Sequence, residues 1–147
     1  MRSLWSDNDR GQLIARAERL APDAVALWGR MRAPEMLAHL TQSMRMATGE
    51  LPVAAKRTLL RYPPVKHFAV YLMPFPKGLP TAPELLARAP GEWRGELDEL
   101  RAALDRFVAR PHTAPRPAHP VFGHLTATQW GVLGFRHADH HLRQFGA

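Results

Sequence analysis

The strongest constraint on the fold is a group of histidines near the end of the chain. Three of the eight histidines, His137, His140 and His141, fall within five residues of one another. Upstream, Thr126 begins a capping-box pattern, and downstream Gly146 suits the left-handed conformation that ends many helices. We therefore predict a helix between these two residues that carries all three imidazoles.

The histidines of this helix share a face with its apolar residues. At about 100° per residue, one set of side chains lies within about 60° of His137: Trp130, Leu133, Gly134, His140, His141 and Gln144. Asp139 points the other way. An apolar face is expected to pack inward, and imidazoles that face a core need polar partners, so several converging rings point to a metal ion.

Spacing suggests which histidines act together. His137 and His141 are four residues apart, which places two imidazoles one turn apart and allows them to bind one divalent ion. His137 with His140 satisfies the spacing equally well. The third ligand must come from elsewhere, and His39, on the apolar stripe of a helix predicted to begin near Pro34, is the obvious candidate. Taken alone, His39 would more simply be a hydrogen-bonded core histidine.

Composition narrows the kinds of site that are possible. The chain has 147 residues and no cysteine, which fits one domain over residues 1–147 and excludes disulfides, thiolate zinc sites and a cysteine nucleophile. The first residues lack an apolar leader, and the longest apolar run, from Phe68 to Phe75, is too short to cross a bilayer. We expect a cytoplasmic protein with no membrane contact.

The net charge of +7 comes mainly from arginine, and one region is purely basic. Between Glu50 and Glu84 the chain has no acidic residue, and five cations lie there: Lys56, Arg57, Arg61, Lys66 and Lys77. This segment can be a nucleic-acid surface, an anion-binding rim or simply a solvated face. The chain has no recognised nucleic-acid motif, so the solvated face is favoured and a nucleic-acid partner is not expected.

The periodicity of the whole chain predicts an all-α fold. Four main helices are expected over residues 6–20, 34–49, 91–110 and 126–146. The middle is less regular because it contains many prolines, and we predict shorter helices there over residues 54–62, 65–73 and 81–89. Such a set of helices fits an all-α bundle.

Several motifs together resemble the DinB-like (DinB/YfiT) superfamily of metal-binding four-helix bundles, and in particular an uncharacterised branch of it. The motifs that carry the resemblance are distributed over most of the chain: Trp28–Met31, Met36–Leu40, Pro74–Gly78, His119–Gly123, Trp130 and the segment from His137 through His141 to Gln144-Phe145-Gly146.

The resemblance implies a specific site and architecture. It implies a divalent ion (zinc, nickel or iron) held by His39, His137 and His141, which favours His141 over His140. It also implies up-down-down-up connectivity and a homodimer. Characterised members are thiol-dependent transferases and isomerases that use a low-molecular-weight thiol, or metal-dependent hydrolases, so a small-molecule substrate is expected.

Other residues are candidates for the surroundings of the metal. Catalytic candidates are His119, His140 and Gln144, because imidazoles can move protons and Gln144 can bond an imidazole N–H or a metal-bound water. The remaining pocket candidates are Glu35, Trp130 and Phe122. Glu35 can instead complement its helix dipole, and Trp130 can be a core residue. His67, His112 and His124 are expected to be surface or structural residues.

These observations lead to three functional hypotheses. The first is a divalent-metal-dependent enzyme, of the thiol-dependent S-transferase or hydrolase type, with a three-histidine site. The second is a non-catalytic, metal-binding stress or interaction protein. The third is a nucleic-acid binder that uses the basic segment.

Overall fold

The computed structural model describes residues 1–78 and 80–147. Within them lie five α-helices: α1 (Asp7–Glu18), α2 (Ala33–Thr48), α3 (Val65–Tyr71), α4 (Trp93–Ala109) and α5 (Ala127–Gln144). Two short 3-10 helices cover Leu59–Arg61 and Pro83–Leu85. The described residues form no strand, and His119 and Gly123 make an isolated β-bridge. The all-α prediction is confirmed.

The helix ends follow the capping residues of the sequence. The Thr126 side chain accepts a hydrogen bond from the Gln129 backbone at 3.1 Å, and Gln129 Oε1 accepts one from the Thr126 backbone at 2.9 Å. These bonds complete the predicted capping box at the start of α5. Helix α2 ends at Gly49, whose φ of 85° glycine adopts without strain.

Two helices predicted in the middle are much shorter than expected. The prediction for residues 54–62 was wrong in extent, since only Leu59–Arg61 is helical, as a single 3-10 turn. Residues 54–57 are exposed, so a helix there would bury no apolar face. The helix predicted over residues 81–89 is likewise reduced to Pro83–Leu85.

The four long helices pack in pairs. Helix α2 contacts α4 and α5, and α1 contacts the same two helices. The apolar faces meet in one core, in which Leu13, Met36, Leu40, Leu104 and Phe107 are all buried. Helix α3 lies against α5. None of the helices in the described part of the chain is long and apolar enough to span a bilayer.

The segment before α1 packs against α5 at Gly131 and Gly134. Leu4 is 0% exposed, and its backbone N–H donates to the Gly131 carbonyl at 3.0 Å. A Cβ atom added to Gly134 would lie 2.5 Å from Leu4 Cδ1, which is too close for two carbon atoms. Glycine at position 134 therefore makes room for the Leu4 side chain.

Candidate metal centre

Three histidines from two helices converge in the interior. His39 lies on α2, and His137 and His141 lie one turn apart on α5. One ring nitrogen from each lies within 4.8 Å of the others, and the His39 and His137 Nε2 atoms are 3.1 Å apart. A cluster of this kind can hold a metal ion.

The cluster forms because α2 and α5 pack together. His39 is 2% exposed on the packed face of α2, while His137 and His141 are half-buried. The ring centroids of the three pairs are 4.8–5.0 Å apart, and the ring planes are inclined by 71–85°. Rings in this arrangement meet by their edges, where the nitrogen atoms are.

Gln144 determines which nitrogen of His141 carries the proton. The Gln144 Nε2 atom donates to the Trp28 carbonyl at 2.7 Å, so the other end of the amide, Oε1, faces His141 Nδ1 at 2.9 Å. Because Oε1 can only accept, His141 Nδ1 must carry a proton. The neutral ring then presents the lone pair of Nε2 as a ligand, and Gln144 has the usual role of a residue that orients a metal-binding histidine.

Burial keeps all three rings neutral. It lowers the pKa of His39 from 6.5 to about 3, and the charge of His141 adds to this shift. Burial also lowers the pKa of His141 to about 4, although the hydrogen bond to Gln144 acts to raise it. Burial, followed by the charges of His141 and His39, lowers the pKa of His137 well below its usual value. Neutral imidazole is the form that binds metals.

The donor set fits a divalent transition metal. With zinc–nitrogen distances of about 2.0–2.1 Å, two ligands of a tetrahedral site stand about 3.3 Å apart, close to the 3.1 Å between the Nε2 atoms of His39 and His137. Within the described structure, His39 Nδ1 is buried and makes no hydrogen bond of standard geometry. The Leu85 backbone nevertheless interacts with the ring and acts to raise the pKa of His39, against the effect of burial.

A cavity of about 390 Å³ opens beside the cluster. Its walls are mainly apolar and include Trp28, Met31, Met73, Phe75, Phe122 and Trp130. The inward face predicted for α5 is confirmed, because its members from Trp130 to Gln144 all line this cavity. A volume of this size lies within the range of small-molecule sites.

Residues 6–147 match the profile of a family described as "Protein of unknown function (DUF1569)". The chain belongs to this family. No curated protein and no solved structure matches this chain.

His140 lies beside the cluster of this DUF1569 chain and outside the set of converging nitrogens. Its ring centroid is 5.3 Å from that of His141, 5.6 Å from that of Phe75 and 5.8 Å from that of Trp28. Burial lowers the pKa of His140, and the carboxylate of Asp139 opposes the shift. Spacing alone allowed either His140 or His141 to join His137, and the structure brings His141 to His39.

His119 lies in the wall of the cavity. Its Nδ1 atom accepts hydrogen bonds from the backbone N–H groups of Val121, at 3.1 Å, and Phe122, at 3.2 Å. The ring is 4.9 Å from that of Phe122 and 5.2 Å from that of Trp130. Burial lowers the pKa of His119 to about 4. The ring is thus neutral and held by its own loop.

Glu35 does not orient His39, and this part of the site prediction was wrong. Its Oε2 atom accepts from the Arg32 backbone N–H at 2.9 Å, and Oε1 accepts from the Arg32 side chain at 2.8 Å. The bond from the Arg32 backbone is the main cause that lowers the pKa of Glu35. Glu35 therefore stabilises the start of α2, as its alternative interpretation proposed.

The remaining histidines are outside the cavity. His112 stacks on Trp5, with ring centroids 3.7 Å apart, His67 lies against Tyr71, and His124 is exposed. They occupy surface or structural positions, as expected.

Two features of the site were missed at the level of sequence. The carbonyl of Trp28 holds Gln144, and a Cβ atom on Gly29 would come within 2.7 Å of Gln144 Nε2. A backbone carbonyl leaves no signal in a sequence. The glycine at position 29 is an indirect signal, because glycine tolerates a positive φ best and the φ of Gly29 is 78°.

Proposed function

We propose that this chain is a divalent-metal-dependent enzyme of the DinB-like type. His39, His137 and His141 would hold one zinc, nickel or iron ion, and the site would activate a thiol or a water molecule against a small electrophilic substrate. The observation that supports the proposal most strongly is the convergence of three ring nitrogens within 4.8 Å beside a cavity of about 390 Å³.

The chemistry follows from a three-histidine donor set. Three protein ligands leave coordination positions open, which is the arrangement of catalytic zinc sites. When bound, the cation lowers the pKa of a thiol or water ligand and so supplies a nucleophile near neutral pH. Gln144 keeps the Nε2 lone pair of His141 available, and the apolar walls limit the access of bulk water to the nucleophile.

The packing of the long helices is compatible with the bundle implied by the DinB-like resemblance. Helices α1 and α2 each contact α4 and α5, so that the four can be placed in a ring in the order α1, α5, α2 and α4. We propose the up-down-down-up connectivity of that superfamily for this ring. The site would then lie between the second and last long helices, as the resemblance implies.

Metal analysis tests the proposal directly. Protein purified without chelator is expected to contain about one divalent ion per chain, since the three rings form a single site. The His141→Ala variant should lose the ion, whereas the matched variant His140→Ala, which removes the neighbouring ring outside the cluster, should keep it. If His141→Ala retains its full metal content, the proposed centre does not exist.

A second experiment separates catalysis from a purely structural role of the metal. A cation shared by α2 and α5 would also raise the melting temperature, because it binds only the folded chain. The enzyme proposal predicts turnover in a screen of low-molecular-weight thiols with electrophiles and of hydrolysable esters and amides. Metal-dependent melting without turnover in such a screen would favour the non-catalytic binding or stress protein.

A further inference from the structure

We propose that the cavity beside the three histidines binds a small monoanion with an apolar body, such as an aromatic carboxylate, and that the Nε2–H group of His119 donates a hydrogen bond to its anionic oxygen. The proposal deepens the function above, because it names the substrate class of the same cavity. It assigns His119 the role of a fixed donor, in place of the proton-transfer role considered from the sequence.

The loop around His119 determines which nitrogen carries the proton. Two backbone N–H groups, from Val121 and Phe122, point at Nδ1 at 3.1 and 3.2 Å. An N–H group at Nδ1 would clash with both donors, so Nδ1 must present its lone pair. The neutral ring then has its proton on Nε2. The backbone of His119 is held too, by paired hydrogen bonds to Gly123 of 2.8 and 2.9 Å.

Within the described part of the protein no residue accepts a hydrogen bond from the Nε2–H group of His119, so this donor is available to a ligand. No hydrogen bond joins His119 Nε2 to a described residue, and the nitrogen is not among the buried polar atoms left without a partner. His119 is also part of the cavity wall. A donor on a rigid ring in the wall of a cavity is well suited to bind an acceptor oxygen.

The charges around the cavity favour an anion over a neutral acceptor. No aspartate or glutamate is present among the described residues that line it, while Arg30 and Lys56 are. Lys77 also lies at this rim, with its ammonium group 4.3 Å from the centre of the Trp28 ring. The charged residues in the described wall are thus all positive, although the carboxylate of Glu84 lies near Lys56, and this balance attracts anions. A divalent ion on the histidine cluster would add to this potential.

The walls define the rest of the ligand. Two tryptophans, one phenylalanine on each of two loops, and several methionines surround the space, so its surface is apolar and polarizable. The volume of about 390 Å³ is near the lower end of the usual range of ligand sites. A single aromatic ring that bears one carboxylate fits within this space and matches the polarity of its walls.

Benzoate is the probe for the proposal, and benzyl alcohol is its neutral counterpart of similar shape. Trp28 and Trp130 line the cavity, so ligand binding can be followed by tryptophan fluorescence on the full chain supplemented with zinc. We expect saturable binding of benzoate that is about tenfold or more tighter than that of benzyl alcohol, the usual effect of a hydrogen bond to a charged group.

Two variants separate the role of His119 as a donor from its role in the loop. In His119→Asn, Oδ1 occupies the place of Nδ1 and can still accept from the backbone of Val121 and Phe122, but no donor reaches the place of Nε2. In His119→Gln, the amide nitrogen reaches that place, but no acceptor remains for the backbone. We expect His119→Asn to melt near the wild type and to bind benzoate about tenfold more weakly. His119→Gln should retain most of the binding and melt at a lower temperature.

Three results would overturn the proposal: the absence of saturable benzoate binding, equal affinity for benzyl alcohol, or unchanged benzoate affinity in His119→Asn. The zinc content of each sample, measured in parallel, keeps the two proposals distinct. Protein that holds no zinc but binds benzoate in a manner that depends on His119 would refute the metal centre alone.

Discussion

Acidification should destabilise the metal-free protein strongly, because its buried histidines are neutral in the fold. Burial lowers the pKa of His39 from 6.5 to about 3 and that of His141 to about 4, and it lowers the pKa of His137 well below the usual value. The unfolded chain therefore takes up protons first as the pH falls. The stability linked to the neutral rings is fully present above about pH 6.5 and is lost as the pH falls from there through about 4 for His141 and about 3 for His39.

The magnitude follows from the linkage between protonation and folding. At about pH 5.5, an imidazole that is neutral in the fold and has its ordinary pKa in the unfolded chain lowers the free energy of unfolding by about 1.4 kcal/mol. The three rings of the cluster together give about 4 kcal/mol, and His119, whose pKa is about 4, raises the total to about 5.5 kcal/mol. This loss is comparable with the whole stability of many small domains.

Urea denaturation of chelator-treated protein, at about pH 7.5 and about pH 5.5, measures this loss. In the His39→Leu variant one titrating ring is absent, so the loss should shrink by about 1.4 kcal/mol. The matched variant His67→Gln removes an exposed ring and should leave it unchanged. A wild-type loss below about 1.4 kcal/mol, or stability that increases toward pH 5.5, would refute the account of a neutral, desolvated cluster.

Two further substitutions test the contacts that position the site. Gln144→Leu removes the acceptor for His141 Nδ1 and should weaken zinc binding about 10–100-fold, as measured in competition with a chromophoric chelator. The control variant Glu35→Gln should leave zinc binding unchanged. Equal affinities in the two variants would contradict the role of Gln144. Arg136 donates to the Ala69 carbonyl at 3.1 Å and the Met73 carbonyl at 2.5 Å, at the end of α3, so Arg136→Met should speed amide hydrogen exchange in residues 65–73 without a similar effect in α4.

The sequence was most informative where periodicity and capping agree. The limits of α5 and its inward face follow from Thr126, from the glycine after the helix and from spacings of three and four residues, and all are local properties. His39 could be placed on the inner stripe of α2 by the same rule. Local patterns thus predicted which imidazoles look inward.

Contacts between helices could not be obtained in this way. Whether His140 or His141 meets His39 depends on the relative translation and rotation of α2 and α5, which only the packed core determines, and the choice came from a resemblance to a family. The link from Gln144 to the Trp28 carbonyl depends on a loop far away in the chain. The sequence allowed two roles for the Glu35 carboxylate, orienting His39 or stabilising the start of its own helix. In the structure it accepts hydrogen bonds from Arg32, at the start of α2.

The way in which Leu4 fills the space above Gly134 has a practical consequence for handling the protein. Removal of the first few residues, Leu4 included, would leave a cavity beside Gly134 on the helix that carries His137 and His141. The Gly131 carbonyl of that helix would also lose the hydrogen bond that it accepts from the Leu4 backbone. Expression variants shortened at the start would then report on a weakened support for the imidazoles as much as on the imidazoles themselves. Comparisons of metal affinity are meaningful only between chains that share this leucine.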